Sequence, residues 1–196
     1  YLDTFTVNVA TKTNLTASDV AMDFNSTGIL LITLKDENNT ALSGKDIKVN
    51  IDNQEYNATT GDGGQAVLPI AGLSAGKFTA LICFEGSEGY LSSNATSQVA
   101  VNKINTSLEA NNVTMYYGDD DVFVITLKDA NSNLLADKEI TTYLDGKKST
   151  LTTNASGQAS FDLNLDVTVY TVEINFAGDN NYLGSKILSK ITVNIS

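Results

Sequence analysis

The length of 196 residues, 42% of them hydrophobic and 18% charged, suits one or two folded domains with packed cores of modest size. Twelve basic residues against 23 acidic ones give a net charge of −11, so nucleic acid and anionic membrane surfaces are poor partners. The chain has no His and one cysteine, Cys83, which excludes a Ser-His-Asp triad, an intrachain disulfide and the common zinc sites. No apolar run is long enough to span a membrane. We therefore expect a protein that is not an enzyme, needs no cofactor and inserts no segment into a membrane.

One sequence pattern occurs twice along the chain. Ile32–Asp36 recurs unchanged as Ile125–Asp129, 93 positions later, and Tyr90-Leu91 recurs as Tyr182-Leu183. Such agreement, continued through most of each copy, predicts two domains of one fold. We place them at residues 1–102 and 103–196.

Residues 1–10 resemble the end of the second repeat. Thr6-Val7-Asn8-Val9 echoes Thr192-Val193-Asn194-Ile195. Two interpretations follow: these residues are the last strand of a preceding repeat, or they are the first strand of domain one. The first interpretation predicts a parent protein with more than two repeats.

Within each repeat, apolar and polar residues alternate with a period of two. Ile47–Ile51 in the first repeat and Val172–Phe176 in the second are typical of half-buried strands. Asp52-Asn53 and Asp145-Gly146 predict two-residue hairpins. We predict an all-β fold of two tandem immunoglobulin-like Greek-key β-sandwiches, with about 7–8 strands each. The predicted core comprises Leu34, Ile47, Ile51, Leu68, Ile70, Ile82 and Phe84 in the first repeat, and Leu127, Ile140, Leu144, Phe161, Leu163, Val172, Ile174 and Phe176 in the second.

The second half of each repeat carries a recognisable pattern. In the second repeat it is the turn at 153–159, then Tyr170-Thr171-Val172, then Phe176–Tyr182; Phe84–Tyr90 is the counterpart of the last segment. The pattern resembles the bacterial-type Ig-like repeats of large surface proteins, especially the adhesin-like proteins of methanogenic archaea. The resemblance implies an exported array, anchored at the cell surface, that serves as an adhesin stalk or contact surface. Its implied partners are neighbouring repeats of the same polypeptide and a cell-surface ligand, either protein or glycan.

Two acidic turns raise the question of a metal ion. Asp129, Asn131 and Asn133 match the first half of a calcium-binding loop, but Leu134 stands where the loop needs glycine and no bidentate Glu follows. Asp and Asn also close β-turns by bonding their own backbone, and we favour this interpretation and predict no metal site. The run at 119–121 has no acidic counterpart in the first repeat, so we expect a solvated turn there.

Whether a side chain can form a covalent cross-link depends on which side of its strand it lies. Lys35, Lys48 and Lys128 fall on the polar, outward phase of their strands, whereas an isopeptide needs a buried Lys beside Asn or Asp. Cys83 also lies on an outward phase and aligns with Asn175, so no thioester is indicated. We predict no cross-link.

Glycosylation signals are more numerous than expected. The chain has 21 Asn, and its nine Asn-x-Ser/Thr sequences are roughly twice the chance number. They predict N-glycans on an exported protein, and chance in an Asn- and Thr-rich chain is the alternative. The candidate sites are Asn14, Asn25, Asn38, Asn57, Asn94, Asn105, Asn112, Asn154 and Asn194.

Two functions compete. The first is an adhesive or stalk repeat of a surface protein. The second is a carbohydrate- or cell-wall-binding module of a larger secreted protein, which would need exposed aromatic side chains. Trp is absent. Of the adjacent candidates Tyr116 and Tyr117, only one has an aromatic counterpart, Phe24, and the candidates Tyr56 and Tyr143 do not align with each other. This scatter favours the first function.

Overall fold

The computed structural model describes residues 9–195, and within that range the chain is all-β, with sixteen strands and no helix. Accordingly, no described helix is long and apolar enough to cross a membrane. Its contacts divide the chain into two compact units, Tyr1–Asn102 and Lys103–Ser196. The interpretation of residues 1–10 as the end of a preceding repeat falls mostly outside the described residues.

The first unit is a sandwich of two sheets. β1, β3 and β6 form a three-stranded sheet, and β2, β8, β7, β4 and β5 form a five-stranded sheet in that order. All pairings are antiparallel except β2 with β8. The strands are β1 (Thr13–Ala17), β2 (Val20–Asp23), β3 (Gly28–Asp36), β4 (Asp46–Ile51), β5 (Gln54–Thr59), β6 (Gln65–Ile70), β7 (Gly76–Phe84) and β8 (Ser93–Asn102).

The second unit repeats this topology strand for strand. Its strands are β9 (Thr106–Glu109), β10 (Val113–Tyr116), β11 (Asp121–Asp129), β12 (Glu139–Leu144), β13 (Lys147–Thr152), β14 (Gln158–Leu163), β15 (Val169–Gly178) and β16 (Leu183–Asn194). β9, β11 and β14 form the smaller sheet, and β10, β16, β15, β12 and β13 form the larger one. The predicted fold class is therefore confirmed.

The two cores form where the inward side chains of the sheets meet. All seven core residues predicted for the first unit are buried, as are six of the eight predicted for the second. The prediction was wrong for Leu144 and Phe161, which are half-buried. Both line a surface groove at the open side of the sandwich, between the edge strands β13 and β14. A period-two pattern gives the inward phase but not the distance from a sheet edge.

Turn chemistry fixes the strand connections. Asp52 and Asn53 have φ of 50° and 61°, and Asp145 and Gly146 have 49° and 71°, as a type I′ hairpin requires. Gly157, with φ of 65°, sits so close to the Leu127 carbonyl oxygen that an added Cβ would lie 2.9 Å from it. Its recurrence as Gly64-Gln65 and Gly157-Gln158 therefore has a structural cause.

A buried threonine, which the sequence pattern did not predict, stabilises each unit. Thr60 Oγ1 donates to the Leu42 carbonyl at 2.6 Å and accepts from the Lys45 N–H at 2.9 Å. Thr153 makes the same two bonds with Leu135 and Lys138. One hydroxyl thus satisfies two backbone groups that would otherwise be buried without partners.

Candidate functional site

The calcium candidates lie in a self-closed turn. Asp129 is 3% exposed, and its Oδ1 accepts from the N–H groups of Asn131 and Asn133, both at 2.9 Å. Its Oδ2 accepts from the Asn133 side-chain amide at 3.0 Å. In the first unit, Asp36 Oδ1 closes the matching turn. The geometry gives Asp129 the turn-closing role that the sequence favours, and the expectation of no metal site stays a prediction.

The acidic run at 119–121 lies at the turn between β10 and β11. Asp119 Oδ2 accepts from the Tyr116 N–H at 2.9 Å, so this carboxylate also serves its own turn. Across residues 9–195, no three acidic, histidine or cysteine side chains come together as a metal site would require.

Most glycosylation candidates are accessible. Asn14, Asn25, Asn38, Asn57, Asn94, Asn105, Asn112 and Asn154 are exposed, and Asn194 is half-buried. Two of these side chains have structural partners. Asn112 Oδ1 accepts from the Lys190 N–H at 2.8 Å, and Asn154 Oδ1 accepts from the Ser156 N–H at 2.9 Å. Each bond leaves the side-chain nitrogen, to which a glycan attaches, outside the interaction. Glycosylation stays a prediction.

The cross-link candidates have ordinary polar partners. Lys48 Nζ pairs with Glu85 at 2.8 Å and Lys128 Nζ with Glu109 at 2.7 Å. The hydrogen bond to Glu85 raises the pKa of Lys48. Cys83 is half-buried and free, and it lies opposite Lys48 and Asn94 in the sheet register. The absence of a cross-link stays a prediction.

One cluster was not foreseen from the sequence. Lys138 Nζ donates to Asp179 Oδ2 at 2.5 Å and lies 5.0 Å from the centroid of the Tyr182 ring. Asp179 Oδ1 accepts from the N–H groups of Asn181 and Tyr182. In the first unit, Lys45 lies 4.9 Å from the ring centroid of Tyr90 and donates to Ser87. The spacing Gly-Asp-x-x-Tyr was visible, but the distant Lys was not.

The cluster perturbs two pKa values. Burial by itself raises the pKa of Asp179, but the bonds from Lys138, Asn181 and Tyr182 outweigh it and lower the pKa overall. Burial raises the pKa of Tyr182, and the charge of Asp129 adds to this effect. Because both units contain the Lys–Tyr contact, we interpret the cluster as a support for the loop between the last two strands.

The aromatic candidates divide into two groups. Tyr116, Tyr117 and Tyr143 are 54%, 55% and 41% exposed. Tyr56 was predicted to be exposed and this was wrong: it is half-buried and packs against the first core. The reason is register, since Tyr56 lies opposite the buried Val49 and shares its inward phase.

The strand order of both units, with a parallel β2–β8 or β10–β16 pair beside antiparallel partners, defines an immunoglobulin-like β-sandwich. No protein-family model matches the sequence. No curated protein matches it either.

Solved structures share the fold. The chain is similar to invasin, a bacterial integrin-binding protein, with a TM-score of 0.60 and 15% identity over 93% of this chain and 39% of that chain. It is similar to the titin domains z1z2 in complex with telethonin, with a TM-score of 0.50 and 13% identity over 94% and 97%. The Yersinia pseudotuberculosis adhesin InvE gives a TM-score of 0.43 and 14% identity over 91% and 58%. At these identities the similarity shows the fold alone, and this chain spans well under half of invasin.

Proposed function

We propose that this chain is a pair of adhesive repeats from a cell-surface protein, non-enzymatic, whose sandwiches present a contact surface to a ligand on another surface. The supporting observation is the contrast between the inside and the outside of the two units. Buried and turn-forming residues recur, as with Thr60 and Thr153. Outward positions on the larger sheets diverge, as with Asn50 and Tyr143. A constant scaffold with a variable exterior suits a binding array better than a site of fixed chemistry.

The proposed location is outside the cell, on a glycosylated protein of a methanogenic archaeon. The resemblance of the two turn-and-strand segments supports the source and the export. The eight exposed Asn-x-Ser/Thr sites support glycosylation. Invasin, which has this fold, is an integrin-binding protein. The ligand proposed for this chain is likewise a protein.

Antibodies raised against the chain test the location. On intact cells of the source organism they should label the surface, and brief external proteolysis should remove the label. Beads coated with the chain should then attach to cells or extracted surface proteins more than beads coated with the heat-unfolded chain. Labelling only after permeabilisation would overturn the proposal.

The carbohydrate-binding alternative is favoured by one observation, the adjacent exposed rings of Tyr116 and Tyr117 at the end of β10. Polysaccharide pull-down with the wild type and a Tyr116→Ser/Tyr117→Ser variant distinguishes the two functions. Retention on a neutral polysaccharide that is lost in the variant would favour the accessory module.

A further inference from the structure

The outer surface of the larger sheet in the second unit has a distinctive cross-strand row. Register places Lys148, Tyr143, Glu173 and Leu188 side by side on β13, β12, β15 and β16. Tyr143 is 41% exposed and Leu188 is 64% exposed. We name this row, with Lys186 and Lys190 beside it on β16, the Tyr143 face. Its two apolar side chains, Tyr143 and Leu188, lie on either side of Glu173.

The lysines make the Tyr143 face cationic. Lys186 Nζ lies 2.8 Å from Glu173 Oε1, and this ion pair neutralises the one acidic residue of the row. Lys148 and Lys190 take part in none of the ion pairs found among residues 9–195. Their charges are therefore available on a chain whose net charge is −11. At physiological salt the Debye length is about 8 Å, so this local charge acts largely apart from the distant acidic residues.

The first unit serves as an internal control. Its matching row is Glu55, Asn50, Leu81 and Thr96, read in the same strand order. The first unit thus forms the same sheet with an acid where the second has Lys148 and with an amide where it has Tyr143. The fold therefore does not require the lysines or the tyrosine of the Tyr143 face, and the one exposed apolar residue of the first unit's row, Leu81, stands where the second has Glu173.

The dimensions indicate the kind of ligand. Three strand spacings of about 4.8 Å separate Lys148 from Leu188, and four residues at about 3.3 Å separate Lys186 from Lys190. These dimensions enclose roughly 200 Å², about a quarter of what each partner buries in a standard protein interface, so one copy gives a weak contact. Repetition in an array would strengthen it through avidity.

The composition favours a protein partner over a sugar. An aromatic ring and a leucine among charged side chains match the mixed composition of a protein contact, in which aromatic residues are enriched. A sheet surface with a single ring at its centre offers no second platform for stacking a chain of sugars. The available lysine charges require negative charge opposite them.

We propose that the Tyr143 face binds an acidic surface of a partner protein, with Tyr143 and Leu188 in apolar contact and Lys148 and Lys190 facing carboxylates. This inference rests on the proposed adhesive function and names the surface and the partner chemistry for it.

Nuclear magnetic resonance on the ¹⁵N-labelled full chain tests the proposal, with poly-L-glutamate as the acidic probe. The amide signals of Tyr143, Glu173 and Leu188 should shift on titration at low salt, and less at high salt because the charges are screened. A Lys148→Glu/Lys190→Glu variant should bind about tenfold more weakly. The matched control, Lys48→Glu/Lys77→Glu, alters net charge equally on the larger sheet of the first unit and should leave the shifts unchanged.

A second pair of variants tests the two apolar side chains of the Tyr143 face. Tyr143→Ser/Leu188→Ser should reduce the affinity for the probe, whereas Leu81→Ser in the first unit should not. The spectral dispersion of each variant reports that it is folded.

Four outcomes overturn the inference. Equal weakening in both charge variants would mean that the probe senses only net charge. Shifts of the same amides with polygalacturonate but not with poly-L-glutamate would assign the face to an acidic glycan. No shift with either probe would leave the face without an acidic ligand. Cells that still attach to beads coated with the Lys148→Glu/Lys190→Glu variant would retain the adhesive function and reject this face as its site.

Discussion

Asp179 connects two parts of the second unit through one carboxylate. Its two oxygens accept from Lys138, which precedes β12, and from the backbone of Asn181 and Tyr182 in the loop before β16. The ammonium of Lys138 also lies over the Tyr182 ring, where a cation–π contact adds to the attraction. In the first unit Ser87 stands in place of the acid, so Lys45 has a hydroxyl partner instead of a charged one.

This difference predicts that removing the charge at position 179 and introducing one at position 87 change the free energy of unfolding in opposite directions. Asp179→Asn should lower the free energy of unfolding by about 1 kcal/mol at neutral pH, because the ion pair is lost while the turn acceptor remains. Ser87→Asp should stabilise the first unit by a similar or smaller amount. Chemical denaturation followed by circular dichroism measures both changes. A destabilising Ser87→Asp would contradict the shared role of the two positions.

The pKa of Asp179 predicts how the first of these effects depends on pH. The pKa is lowered in the fold from its ordinary value of 3.8, so the folded protein holds fewer protons than the unfolded chain. The stabilisation is then present above that ordinary value and is lost as the pH falls through it towards the folded pKa. The difference in unfolding free energy between the wild type and Asp179→Asn should shrink as the pH is lowered from 7 to about 3. A constant difference would show that the charge of Asp179 does not contribute.

A further prediction at the residue scale concerns the need for glycine at position 157. Its positive φ and the nearby Leu127 carbonyl leave no room for a Cβ, so Gly157→Ala should cost about 2–3 kcal/mol. Gly63 lies in the matching turn region of the first unit with nothing within 4 Å of an added Cβ. Gly63→Ala should change stability by less than about 0.5 kcal/mol in thermal or urea unfolding. Similar losses in both variants would contradict the steric argument.

At the scale of elements, the distance of a strand residue from the sheet edge determines how much its side chain contributes to the free energy of unfolding. Phe176 on β15 is 3% exposed between β12 and β16, whereas Phe161 lies on the edge strand β14 with its ring centroid 5.3 Å from that of Phe123. Phe176→Ala should cost about 3–5 kcal/mol, as expected for a buried ring. Phe161→Ala should cost less than half as much, since part of its ring is already in water. Equal costs in denaturant unfolding would show that the half-burial of Phe161 does not matter.

At the scale of the whole molecule, the boundary between the units separates two hydrogen-bond networks. The Asn102 carbonyl accepts from the Phe24 N–H at 2.9 Å, inside the first unit. Two residues later, the Ile104 N–H donates to Asn181 at 3.0 Å, inside the second unit. Each sheet formed by residues 9–195 consists of strands from one unit.

Each unit should therefore fold by itself. Fragments 1–102 and 103–196 should each show a cooperative unfolding transition, and both should correspond to transitions of the full chain. Calorimetry of the two fragments and the full chain checks this expectation. An unfolded fragment would contradict it, and a single transition of the full chain at a Tm above that of both fragments would show that the units stabilise each other.

The period-two alternation, the internal repeat and the turn residues by themselves determined the fold class, the hairpins at Asp52-Asn53 and Asp145-Gly146, and nearly all of the core. Those features depend on local backbone preference and on which phase of a strand is apolar, and a sequence records both. Only the tertiary structure decided that Leu144 and Phe161 lie at an open edge, that Lys138 reaches Asp179, and that Tyr143 and Leu188 share one row. These depend on the register between strands that are distant in the chain. Register is fixed by the packing of both sheets together, so no single segment of the sequence contains it.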